Sequence, residues 1–562
     1  MKSVLALGTV PAALTIVFCL WNINVARAQS AKIHPDPLIE QAAKQMNKGA
    51  PRTLAEPAII TEDGPLKGTS VFGVLGYLGI PYAAPPIGSL RWMPPQSHGK
   101  WQGVFVANSF GNFCTQPNGT GGTLGDEDCL TLNIFTPNVK KNSQKNAPLP
   151  VMVWIHGGGL VTGGSFLYDP SPLVTQGNLI VVTINYRLGY LGFFAHPAID
   201  AELHPDANYG LMDQQFALQW VKRNITAFGG DPNRVTIFGE SAGGQSVYSN
   251  LASPTAEGLF QRAIAESGAY AQFQHYYNYI VSVATGETSG TTLVPSGTAI
   301  ASSVGCGSQT SDCLRGLPAS TLALAEPATV YPFVDGTILT QTPAAAFASG
   351  EFNQVPLISG GNHDEWRIFV AQEYDFAGHP LVTEADYLNA VAALWPPQLV
   401  PAVEFLYPLS SYPSPGVALG ASGTDGIFAC PERNSVRLLS QFVTTYAYEF
   451  NDENAPDLFA PLGLATFPLG AYHAAELQYL FDFNERFAGF NPFTPAQQDL
   501  SESMISYWTN FAISGDPNST EQPTWAPYNS GTDEFQSLVP PTPTVESTFD
   551  SDHKCSSFWN VL

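Results

Sequence analysis

Residues 235–244 read Val235-Thr236-Ile237-Phe238-Gly239-Glu240-Ser241-Ala242-Gly243-Gly244, and the rest of the chain is read outward from them. A run of high β propensity leads into Gly-x-Ser-x-Gly, and small residues that suit a tightly packed helix start follow. A strand that turns straight into a helix leaves little room around the turn. Glycine is therefore required on both sides of the serine, whose side chain projects from the strand end with a helix N-terminus behind it. The partial positive charge of that helix end favours negative charge developing beside Ser241. Ser241 is the candidate nucleophile.

A second motif, Trp154-Ile155-His156-Gly157-Gly158-Gly159, also follows a strand-like run. Acyl transfer generates a tetrahedral oxyanion, and backbone N–H groups must point at it. Consecutive glycines let the main chain come close and leave its donors uncovered. The expected donors are the N–H groups of Gly158, Gly159 and Ala242, with His156 structural. A serine nucleophile needs a histidine base, and a turn of this kind is followed in chain order by the acid and then the base. His275, His363, His379, His473 and His553 lie after Ser241. The strand candidate Val355–Gly360 runs into His363-Asp364-Glu365, and the candidate Val443–Phe450 is followed after a loop by His473. This order selects His473 as the base. It leaves Asp364 and Glu365 as alternatives for the acid.

The remaining strand candidates are Val151–Ile155, Leu179–Asn185, Arg234–Gly239 and Arg262–Glu266. Their residues are apolar on both parities, as strands covered on two faces should be. The segment Leu211–Phe228 has apolar positions at helical spacing and stops at Gly229-Gly230. The alternation predicts an α/β architecture: a central, mostly parallel, twisted sheet with helices on both faces. The Thr-, Ser- and Gly-rich stretch 283–303 reads as surface loop. No internal repeat or long linker divides the chain, so residues 29–562 are expected to form one domain with a loosely attached arm over 29–55.

The amino terminus reads as a secretory signal over residues 1–28. Lys2 is followed by the largely apolar run Val4–Trp21 and by the cleavage box Ala26-Arg27-Ala28. An even set of six cysteines follows it, which points to disulfides in an oxidising compartment. Proximity favours Cys114–Cys129 and Cys306–Cys313, leaving Cys430–Cys555. Neither Cys-x-x-Cys nor paired histidines occur, so the spacings give no zinc motif. Asn118 and Asn518 stand in polar sequons suited to glycans, whereas the sequon at Asn224 falls in a tight helical segment and reads as structural. A net charge of −24 and the lack of any basic cluster argue against nucleic-acid binding. No stretch after the signal is apolar for long enough to insert stably in a membrane.

The motifs form an ordered series. Gly79-Ile80-Pro81-Tyr82-Ala83, Leu90-Arg91 and Glu127-Asp128-Cys129-Leu130-Thr131-Leu132-Asn133 come first. Asn185-Tyr186-Arg187, Asp213-Gln214, Phe228-Gly229-Gly230-Asp231-Pro232 and the Ser241 turn follow, then Asp335-Gly336 and Trp508-Thr509-Asn510-Phe511-Ala512. From about residue 57 onward the chain resembles the type-B carboxylesterase/lipase family, which includes fungal lipases, cholinesterases and the neuroligins. The resemblance implies an α/β-hydrolase fold and a secreted serine esterase acting on a small-molecule ester without metal or cofactor. The family's acid falls on Glu365, although Trp366 stands where the family has Gly, and its base falls on His473. Its disulfides match the proximity pairing, Cys430–Cys555 resembling a bridge found in part of the family. It implies structural ion-pairing roles for Arg91, Glu127, Arg187 and Asp213, and a place for Ser267 beside Glu365. Fourteen residues separate Cys114 from Cys129, with no aromatic among them. That loop lacks the cholinesterase tryptophan that would hold a cation and is short for a lipase lid. The expectation is a general carboxylesterase, with a triacylglycerol or sterol ester lipase as the alternative. A catalytically silent, neuroligin-like binding protein is the remote one, since this chain keeps all three triad residues.

Overall fold

In the computed structural model, residues 58–137, 147–271, 297–325, 330–459, 463–483 and 492–561 are described. The expected signal segment, the arm, and residues 283–296 of the stretch expected as loop lie outside them. Among the described residues, eleven strands make the main sheet. In chain order they are β1 (Thr69–Val71), β2 (Val74–Pro81), β3 (Thr131–Thr136), β4 (Leu149–Ile155), β5 (Ile180–Ile184) and β6 (Gly230–Glu240). β7 (Arg262–Glu266), β8 (Leu357–Asn362), β9 (Thr445–Phe450), β10 (Phe535–Leu538) and β11 (Thr544–Glu546) follow.

Across the sheet the order is β11-β10-β9-β8-β7-β6-β4-β5-β3-β2-β1. From β5 to β10 every neighbouring pair is parallel. The strands beyond them pair antiparallel at both edges. Successive side chains of a strand point to opposite faces, and both faces here are covered. Met152, Trp154, Phe238, Ile264 and Ile358 belong to one apolar cluster, and Val151, Val153, Ile155, Ile237 and Ala263 to the other. This double burial is the physical origin of the apolar runs on both parities.

The strand order reverses at β4, which has β5 on one side and β6 on the other. A parallel sheet opens a crevice at the carboxyl ends of its strands where the order reverses. The glycine run after Ile155 and the serine after Glu240 both leave the sheet there. Helix α1 (Tyr209–Asn224) continues as a 3₁₀ turn over Ile225–Phe228 and stops at Gly229, with φ +87°. Asn224 is buried, and its amide bonds to Glu62 Oε1 and Trp220 O.

One expectation is corrected. Residues 297–303, expected as loop, form a helix (Gly297–Ser303) whose Gly297, Ile300 and Ala301 are buried. A Cβ on Gly297 would lie 1.9 Å from Ala195 O, so close docking on that segment, not local propensity, sets the helix in place.

The ion pairs that the resemblance implies are present. Arg187 grips Asp213 through Nε and Nη2 at 2.7 and 2.8 Å, both side chains being buried. Arg91 makes a similar fork to Glu127 at 2.7 and 2.6 Å. Removing one partner of a buried pair strands the other charge, at a cost of about 3–5 kcal/mol. Asp213→Ala is expected to lose about that much stability, read as a lowered urea midpoint with an unchanged slope.

Candidate active site

Ser241 sits between β6 and helix α2 (Ala242–Ala252) at φ +56°, ψ −121°, a region that non-glycine residues rarely enter. Its N–H donates to Glu266 O at 2.9 Å, which ties the turn to the end of β7. A Cβ on Gly239 would lie 2.6 Å from Ile155 O, and one on Gly243 only 2.0 Å from the same oxygen. The start of α2 therefore rests directly on the end of β4. The glycine run after β4 comes alongside: a Cβ on Gly157 would lie 3.2 Å from Ser241 Cβ. Gly158 and Gly159 follow at φ +104° and +64°, and Thr162 O closes on the Gly158 position at 2.4 Å. His156 is buried, with Nδ1 2.8 Å from Gly157 O and its ring stacked on Tyr186. Burial pushes its pKa down to about 4, so the ring is neutral.

His473 and Glu365, distant in sequence, meet in the fold. Nδ1 of His473 lies 2.5 Å from Glu365 Oε2. The other carboxylate oxygen of Glu365 accepts from Ser267 Oγ at 2.6 Å and from Asn362 N at 2.8 Å, which holds it in one orientation. Asp364, the alternative acid, is turned away. Its Oδ1 pairs with Arg367 Nη2 at 2.7 Å and its Oδ2 accepts Ala471 N at 2.9 Å. Trp366, which departs from the family pattern, fits because Gly423 opposite it has no side chain; a Cβ there would lie 2.2 Å from the indole.

Sequence reasoning missed the neighbour on the imidazole's other side. Nε2 of His473 lies 3.2 Å from Glu240 Oε1. Burial raises the Glu240 pKa to about 7, opposed by His473 and reinforced by Glu365. Burial alone would lower the pKa of His473, but Glu240 and Glu365 outweigh it and hold the pKa above the usual histidine value. Glu240 was in view as the residue between Gly239 and Ser241; only its contact with His473 gives it this part. Tyr270 was also missed. Its hydroxyl donates to Gln245 Oε1 at 3.3 Å, and its phenol lies against the Ser241 side chain. Phe369 and Phe428 close over the imidazole, with ring centroids 5.1 and 5.0 Å away.

The structure pairs Cys114 with Cys129, Cys306 with Cys313 and Cys430 with Cys555. The first bridge closes a small loop whose strands Gln116–Pro117 and Thr123–Leu124 pair with each other. Asn118 turns that ribbon, its Oδ1 accepting from Thr120 N and Gly122 N. Asn518 donates through Nδ2 to Asp516 Oδ1 and Trp525 O. Among the described residues, no helix is long and apolar enough to cross a membrane.

A mostly parallel sheet whose order reverses beside a strained strand–serine–helix turn is the α/β-hydrolase fold. The carboxylesterase family model matches residues 55–557, and the chain belongs to that family. It is 34% identical to the para-nitrobenzyl esterase of Bacillus subtilis, over 89% of this chain and 98% of that protein. It is 35% identical to the acylcarnitine hydrolase of Mus musculus, over 84% of this chain and 85% of the relative. A solved PNB esterase structure aligns with a TM-score of 0.71 at 30% identity, covering 90% of this chain and all of that one.

The geometry sets a direction for the imidazole. Glu240 stabilises its charged form, so replacing that carboxylate with an amide must favour the neutral form. Glu240→Gln is expected to lower the His473 pKa, with its ¹⁵N titration in a histidine-labelled sample moving to lower pH. An unmoved titration would show that Glu240 does not govern it.

Proposed function

We propose that the protein is a secreted serine carboxylic-ester hydrolase that works through Ser241, His473 and Glu365. The observation that carries this reading is the 2.5 Å contact between His473 and a carboxylate held by two further donors, in the same crevice as a serine on a strained turn. Ser241 Oγ attacks the ester carbonyl carbon as His473 Nε2 takes its proton. Glu365 fixes the ring through Nδ1 and stabilises the imidazolium. The carbonyl oxygen becomes an oxyanion on the N–H groups of Gly158, Gly159 and Ala242. As the C–O bond breaks, the imidazolium gives its proton to the leaving alcohol. Water, deprotonated by the same ring, then attacks the acyl-enzyme and releases the acid.

Export is supported by the signal-like pattern of residues 1–28 and by the three disulfides. A soluble-ester substrate is favoured over lipid aggregates because the Cys114–Cys129 loop is a self-paired ribbon without aromatic residues, unlike a mobile apolar lid.

A fluorophosphonate probe is expected to label the wild-type chain and not Ser241→Ala, whose turnover of p-nitrophenyl esters falls roughly 10⁴-fold or more. Equal labelling of the two would move the nucleophile elsewhere. The rate on a sparingly soluble ester is expected to saturate below the solubility limit. A sharp rise on crossing that limit would favour the lipase reading.

A further inference from the structure

Behind the loop that carries Glu365, residues from three distant segments converge. His363 follows β8, Glu449 lies in β9, and His553 belongs to the carboxyl-terminal tail beside Cys555. One ligand atom from each lies within 4.8 Å of the other two. The arrangement has the features of a first-row metal site. Two imidazoles and one carboxylate are a common donor set for Zn²⁺. Each imidazole is oriented by a carboxylate on its other nitrogen: His553 Nδ1 is 2.7 Å from Asp425 Oδ1, and His363 Nδ1 is 3.3 Å from Asp364 Oδ1. Such outer carboxylates fix the tautomer and leave Nε2 for the ion.

Acidic groups crowd the cluster: Asp364 pairs with Arg367, Asp425 with Lys554, and Glu449 with His553. An ion bound there would replace the proton between His553 and Glu449. Access is one-sided, since the His363 side chain is 34% exposed while Glu449 and His553 are buried. One change is needed. His553 Nε2 and Glu449 Oε1 are 2.6 Å apart, and two ligands on a tetrahedral Zn²⁺ must stand about 3.3 Å apart. The Glu449 carboxylate must turn away from His553 to open that distance.

We propose that His363, Glu449 and His553 bind one Zn²⁺-like divalent ion, oriented by Asp364 and Asp425, at a site separate from Ser241. The ion would clamp the tail to β9 and to the loop that precedes Glu365. It takes no part in ester hydrolysis.

The test uses the full chain stripped with dipicolinate and dialysed against Zn²⁺ at pH 7.5, with bound metal counted by mass spectrometry. One Zn²⁺ per chain and a raised melting temperature are expected. His363→Ala, altered at the partly exposed ligand, is expected to keep the wild-type far-UV spectrum and the metal-free melting temperature while binding Zn²⁺ at least tenfold more weakly. X-ray absorption at the zinc edge should show two imidazoles. No bound zinc, or equal binding by wild type and His363→Ala, would overturn the proposal, as would binding of Ca²⁺ in preference to Zn²⁺.

Discussion

The close approach of helix α2 to the ends of β4 and β7 is the constraint on which the site depends. Gly239 and Gly243 both abut Ile155 O, a Cβ on Gly244 would lie 2.4 Å from Glu266 O, and one on Gly268 would lie 2.3 Å from Gly244. These contacts leave no room for a gradual turn. The chain must pass from strand to helix within one residue, and Ser241 takes the positive φ that this demands. The strain is held by the sheet, since Ser241 N is bonded to the last carbonyl of β7. The same contact brings the glycine run after β4 against the serine. One packing requirement thus fixes both the posture of Ser241 and its distance from the candidate oxyanion donors.

The second organising feature is negative charge kept out of water. Glu240, Glu266, Glu365 and Glu476 are all buried around or behind His473. Burial pushes Glu266 up to about 8, with Trp508 Nε1 bonded to its Oε1 opposing the rise, and raises Glu476 well above the usual carboxylate value. Desolvation disfavours ionisation unless a partner compensates. Glu365 is held by three contacts, to His473 Nδ1, Ser267 Oγ and Asn362 N. The inward-facing carboxyls are therefore not equivalent, and the differences arise from the donors that each one finds.

How much of this was legible depended on sequence distance. The turn at 239–243 and the run at 157–159 are local, and their glycines announce a steric demand that is met at Gly157, Gly158, Gly239 and Gly243. The strands β4 to β9 were readable because two-sided burial forces apolar residues onto both parities. Their ends were not: the strand expected from Val355 begins at Leu357, after Pro356, which has no N–H to give the ladder. The helix at 297–303 was hidden because its support comes from Ala195, about a hundred residues earlier in the chain. The cluster of His363, Glu449 and His553 was invisible for the same reason, since no spacing rule joins residues on a turn, a strand and a tail. The contact of Glu240 with His473 was likewise a product of tertiary packing.

Asp364 and Glu365 show where local reading stops. The two carboxylates are adjacent, of the same charge, and both buried, so neither composition nor strand order separates them. What separates them is the direction in which the turn after β8 sends each side chain. Asp364 meets Arg367 and the N–H of Ala471, and a Cβ on Gly470 would lie 2.0 Å from its Oδ2, so Gly470, at φ +67°, is the residue that lets this contact form. Asp364 thereby fastens the turn after β8 to the segment that carries His473. Glu365, one residue on, points back under Ser267 and reaches the imidazole. The first carboxylate sets the distance between two loops, and the second uses that distance to hold the ring. Losing the first would misplace the second without touching it, so the pair is one device built from two adjacent acids.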